Sequence, residues 1–135
     1  MVAFDAPRRA VCAAKRERTD SPLQALILLN GIQYVEAARV LGESLHRDAN
    51  GDPAQMVDRA SLRCLSRHPD AKEQEILVRL YEEQLKHFEA NPTEADQLIR
   101  IGQKPPDASI IAAKVAAATV LAQALLNHDE CVVKR

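Results

Sequence analysis

Four helix-start signals are spaced along this chain of 135 residues, and they constrain its fold more than any other feature. Ser21-Pro22-Leu23-Gln24, Asp52-Pro53-Ala54-Gln55 and Asn91-Pro92-Thr93-Glu94 each offer a capping side chain, a proline at the first helical position and Gln or Glu at the third. Asp70-Ala71-Lys72-Glu73 does the same without the proline. The capping oxygen takes an amide that the first turn leaves orphaned, and proline has no such amide to lose. The Gln or Glu reaches back to the cap. A sheet protein has no use for four such signals.

The segments behind the signals are helical in period. Leu23, Leu26, Ile27 and Leu29 lead to the kink signal Asn30-Gly31. Tyr34, Ala38, Leu41 and Leu45 then form a stripe, while Arg39, Glu43 and Arg47 follow one another at i,i+4 and read as solvated ion pairs on another face. Val57, Ala60 and Cys64 face inward on the helix after Asp52, which ends near Arg67-His68-Pro69. Leu77, Leu80, Tyr81, Leu85 and Phe88 face inward on the helix after Asp70. A short helix is expected from Asn91 toward Gly102, then a loop at Pro105-Pro106, then a last helix from after Asp107 to about Leu126. That last helix has no polar face, because Lys114 and Gln123 are nine residues apart and lie on opposite sides. A helix that is apolar all round belongs at the centre of its domain, and alanines let neighbours approach it closely. The expectation is an all-α fold: an irregular bundle of five to six helices over 21–135, with a coiled basic arm over 1–20 and a central Ala-rich C-terminal helix.

Composition narrows the function classes. Lys plus Arg total 18 against 19 Asp plus Glu, a net charge of −1, and only two Tyr and two Phe are present. Neither the basic excess nor the stacking residues of a nucleic-acid binder are there, so none is expected as a partner. Residues 1–18 hold no apolar run of the signal-peptide kind, and residues 110–126 are too short and too rich in alanine for a membrane span. Cys12, Cys64 and Cys131 are an odd number of widely spaced thiols. They leave open one disulfide plus a free thiol, or three free thiols.

Phe4-Asp5-Ala6-Pro7, Cys12 and the run Lys15-Arg16-Glu17-Arg18-Thr19-Asp20-Ser21-Pro22-Leu23-Gln24-Ala25-Leu26 resemble the C-terminal part of the planctomycete-type family catalogued as domain of unknown function 1553. Leu29-Asn30 with Gln33-Tyr34-Val35-Glu36-Ala37-Ala38, Arg67 with Pro69, and Leu125-Leu126-Asn127 with Asp129-Glu130 extend the likeness. The family's domain continues upstream, so the resemblance implies a C-terminal fragment of a larger, exported protein. It implies no reaction. Gly31-Ile32 replaces an Asp-Pro usual in the family, Cys131 an aromatic, and His128 a small or apolar residue.

Candidate site residues follow from motif and spacing. Asp5, Arg16, Glu17, Arg18, Gln24 and Asn30 form the family motif and suggest an anion-binding or interdomain contact. The structural alternative has Arg16 and Arg18 paired with Glu17, Asp20, Asp129 or Glu130 to pin the arm. For Asn30 and Asn127 it has helix termination in the left-handed conformation. Cys64 with His68 at i,i+4, and His128 with Cys131 at i,i+3, would make a Cys2His2 metal or redox site if the two pairs met. The alternative has Cys64 as a small hydrophobe and His68 at a helix end. Cys12, near the arginines, is the one candidate nucleophile; the alternative is structural packing or a disulfide in the larger protein. The expected function is a non-catalytic helical packing module with no cofactor. It would present an apolar patch beside the first helix or the arm to a missing upstream domain or to a second copy. The competing readings are part of a hydrolase-like enzyme completed upstream, and a metal or redox module.

Overall fold

The computed structural model describes Leu26, Ile27 and residues 29–132. Six helices have both ends among them: α1 (Ile32–Asp48), α2 (Pro53–Leu65), α3 (Ala71–Ala90), α4 (Pro92–Ile99), α5 (Ala112–Leu126) and α6 (Asp129–Val132). Leu26, Ile27, Leu29 and Asn30 are helical too, and Gly31 separates them from α1. No strand occurs among the described residues. The first start signal, Ser21-Pro22, lies outside them.

The remaining start signals act in different ways. Asp52 caps α2 by accepting the Ala54 N–H at 3.1 Å, with Pro53 behind it. At α3, Glu73 reaches back and takes the Asp70 N–H at 2.9 Å. Asn91 departs from expectation. Its side-chain amide donates backward to the His87 carbonyl at 3.0 Å, so it closes α3 and makes no cap for α4. The Asp107 carboxylate is occupied by the Ser109 N–H at 2.9 Å and hydroxyl at 2.6 Å, a local turn, and α5 starts only at Ala112. Side-chain to backbone bonds of this kind compete with helix for the same groups.

The core is built around α5. Ala113, Val115, Ala116, Ala117, Ala118, Thr119, Leu121, Ala122 and Leu125 are buried on it, and it touches each of the other five helices. Thr119 is satisfied inside that core by donating to the Val115 carbonyl at 2.7 Å. Buried on the other helices are Val35, Ala38 and Leu45 of α1, Met56, Val57 and Ala60 of α2, Tyr81 and Phe88 of α3, and Ala95 and Ile99 of α4. Backbones of α1 and α5 approach closely at Gly42. A β-carbon there would stand 2.8 Å from the carbonyl carbon of Ala118 and 2.9 Å from its oxygen. Hydrogen for methyl at this position lets the two backbones meet.

The polar face of α1 is where expectation and structure part. Arg39 and Glu43 are 0% and 2% exposed. A pair that reads as solvated by spacing is buried, because residues 101–111 run over it without helix or strand.

Candidate functional site

The α1 helix holds that strap through a row of four side chains. Glu36 Oε1 accepts the N–H groups of Gln103 at 3.1 Å and Lys104 at 2.6 Å. Arg39 donates through Nη1 to Glu43 Oε1 at 2.6 Å and through Nη2 to the Lys104 carbonyl at 2.6 Å. Glu43 Oε1 also takes the Asp107 N–H at 3.2 Å, and Arg47 reaches the Asp107 carboxylate at 3.2 Å. Gly102 allows the strap to begin, with φ at 107°, and it packs so closely on Glu36 that a β-carbon would stand 2.5 Å from the carboxyl carbon. The amides of Lys104 and Gln103 hold the Glu36 carboxyl below its ordinary range. Ser109 does the same for Asp107 through its hydroxyl and its N–H. Arg39 Nε has no partner among the described residues. The row is filled by the chain's own backbone, so its chemistry is that of a clasp.

The other side of α1 is open. Gln33, Glu36, Ala37, Val40, Leu41 and Ser44, with Arg63 from α2, line a groove of about 620 Å3. Ile32, one turn before Glu36, is 65% exposed, and Leu26 and Leu29 are 56% and 40% exposed. Gln123 of α5 donates to the Leu29 carbonyl at 3.0 Å, which fixes the backbone at that position while the leucine side chain stays outward. At the groove's edge Arg63 bridges Ser44 and Asp48, and it holds the Asp48 carboxyl below its ordinary value.

Asp5, Arg16, Glu17, Arg18 and Gln24 lie outside the described residues, as does Cys12. Asn30 ends the helical turn before Gly31, its side-chain amide donating to the Leu26 carbonyl at 3.1 Å. Asn127 ends α5 at φ −96°. Neither asparagine is left-handed; among the described non-glycine residues that conformation falls to Asn50 and to Ser66, the latter at the end of α2.

The two Cys/His pairs do not assemble. Ser66, at φ 59°, turns the chain out of helix before His68, so the i,i+4 relation to Cys64 is lost. His68 is 72% exposed and its Nδ1 lies 2.6 Å from Asp58. His128 precedes α6, and its Nδ1 faces the Glu130 N–H at 3.3 Å. The described residues contain no group of three or more His, Cys, Asp or Glu able to hold a metal ion.

Arg67 is a joint the spacing does not announce. It makes a two-armed pair with Glu73 at 2.7 and 2.8 Å, and its Nε reaches Glu130 of α6 at 2.8 Å. Glu130, one of the acids expected for the arm's arginines, is thus taken by Arg67. The guanidinium, helped by the Asp70 N–H, holds the Glu73 carboxyl down at about 2. A carboxyl whose folded pKa is lowered stabilises fully above its unfolded value, near 4.5, and that contribution fades as pH falls toward the folded value. Folding stability followed by chemical denaturation is therefore expected to decline from about pH 4.5 downward, in a trend extending to about pH 2. A Glu73→Gln chain should lose the lowest part of it. A wild-type profile flat to pH 2 would contradict the geometry at Arg67.

A family model described as PSD1, protein of unknown function (DUF1553), matches residues 1–81. Comparison with curated proteins and with solved structures gave no match. The matched stretch takes in the motif of residues 4–26, all of α1 and α2 with the groove between them, and α3 as far as Tyr81, which is more than half of the 135 residues. The chain therefore belongs to the PSD1 family of proteins of unknown function (DUF1553).

Proposed function

We propose that this chain is a helical packing module, and that the open side of α1 is its partner-binding face. One observation carries the reading: Leu26, Leu29 and Ile32 stand exposed in the stretch that leads into α1, α1 then lines a groove with Ala37, Val40 and Leu41 in its wall, and the charged row on α1 is spent on the protein's own strap. Exposed apolar side chains gathered at one place mark association surfaces in water-soluble domains. The groove holds no converged acid, base and nucleophile of the kind a hydrolytic site needs; Glu36, its one carboxylate, is occupied by two backbone amides. The partner is a second apolar surface, and in its absence another copy of the chain takes that place.

Light scattering on the full chain tests this. We expect a mass above the 14.9 kDa of one chain as concentration rises through about 100 µM, the affinity range of a small apolar interface. The double substitution Leu29→Asp, Ile32→Asp should return it to the mass of one chain with helicity unchanged. A monomer at every concentration, or a dimer indifferent to the double substitution, sinks the reading.

A further inference from the structure

A second feature lies at the C-terminal end of α2, where Cys64 follows Arg63 of the groove in the chain. Cys64 stands on the last turn of α2 and packs beside Leu45, Ala60 and Leu125. Cys131 lies on α6, which touches both α2 and the helix before it, α5. The Arg67–Glu130 contact at 2.8 Å holds these elements together, with Arg67 three residues beyond Cys64 and Glu130 adjacent to Cys131. Both cysteines are free thiols and partly buried.

We propose that Cys64 and Cys131 are a thiol pair that closes to an intrachain disulfide, a redox-controlled clasp between α2 and α6. Burial raises both thiols, Cys64 to about 11, and the negative charge of an ionised Cys131 adds to the rise at Cys64, as expected of near neighbours. The oxidant is a small disulfide, such as oxidised glutathione. The Cys131 thiolate attacks one sulfur of that disulfide, forms a mixed disulfide and expels one thiolate of the oxidant. Cys64, deprotonated in turn, attacks the Cys131 sulfur, forms the intrachain bond and expels the second. Two protons leave the protein, two cysteine thiols are oxidised, and one oxidant disulfide is reduced to two thiols. Because the attacking species is the thiolate, closure is slow at neutral pH and speeds up toward pH 9 and above. The ring so formed runs from residue 64 to 131, a long loop, and long loops constrain the unfolded chain most.

The test uses the full chain, reduced, then incubated with oxidised glutathione at about pH 8.5 and alkylated. We expect one alkylated thiol in place of three, a digest containing a Cys64–Cys131 cross-linked peptide, and a Tm higher by roughly 5 °C or more, reversed by dithiothreitol. Cys12→Ser should keep both the cross-link and the Tm rise, and Cys131→Ser should lose both. Cys64 and Cys131 both alkylated, glutathione retained on either of them as a mixed disulfide, or a bond running to Cys12 would each overturn the proposal. All of these readouts are separate from the oligomeric state that tests the groove.

Discussion

Arg39→Ala is expected to cost about 3–5 kcal/mol of folding stability, a drop in Tm on the order of 10–20 °C for a domain of this size. The loss would come less from the vanished attraction than from what is left behind. Glu43, 2% exposed, would keep a single 3.2 Å contact from the Asp107 N–H, and the Lys104 carbonyl would lose the Nη2 donor. A buried charge without its partner is among the few single-residue events of this size. Two further chains separate this account from simple loss of volume. Arg39→Lys keeps the charge but has one ammonium in place of a planar fork, so it cannot serve Glu43 and Lys104 in the same geometry; about 1–2 kcal/mol is expected. The double substitution Arg39→Leu, Glu43→Leu leaves no buried charge and should cost less than Arg39→Ala alone, though it removes more polar contacts. Its strap, no longer clasped at Lys104 and Asp107, should be cut faster by a protease within residues 101–111. Chemical denaturation of the four proteins checks the order, and a double variant less stable than Arg39→Ala would show that the pair is worth more than its burial costs.

Local features were the legible ones. The cap at Asp52, the reach-back of Glu73 and most of the inward positions are decided within a turn or two, and they are present where residue pattern puts them; Tyr34, expected in the stripe of α1, is instead 37% exposed. The central place of α5 was legible for a related reason: with Lys114 and Gln123 on opposite sides, no orientation hides all of its apolar surface except the middle. What stayed hidden was set by distant segments or by competing side-chain bonds. Arg39 and Glu43 are four residues apart whether water or a strap covers them, and the strap is more than 60 residues away. Asn91 can bond forward or backward, and the His87 carbonyl wins. The proposed metal pairs assumed that helical spacing continues past Cys64; one left-handed residue, Ser66, removes that assumption. Of the candidate site, Leu26 and Leu29 are in the first apolar run. The groove itself needs α2 to bring Arg63 beside α1, which no spacing within either helix reveals.

Gly42 is a position where two physical effects give opposite signs. By helix propensity alone, Gly42→Ala in the middle of α1 should stabilise by about 1 kcal/mol. Against this, the new β-carbon would stand 2.8 Å from the Ala118 carbonyl carbon and 2.9 Å from its oxygen, where neither atom belongs to a side chain that can rotate away. Relief requires α1 and α5 to separate, and α5 is held on its other sides by α2, α3 and α4. Overpacking of this kind costs about 1–3 kcal/mol when side chains can adjust, and more when backbone must move. We therefore expect Gly42→Ala to be destabilised by about 1–3 kcal/mol net, and Gly42→Leu to give little folded protein. The second-site test is Ala118→Gly. It removes the methyl that stands 3.1 Å from the new β-carbon but leaves the carbonyl in place. The combination Gly42→Ala, Ala118→Gly should accordingly recover little, and it adds the propensity cost of a glycine in α5. Full recovery would show that the two helices are spaced by their side chains. Failure to recover means the contact is backbone on backbone, and then the absence of a side chain at residue 42 is what allows an alanine-lined helix to occupy the centre of this bundle.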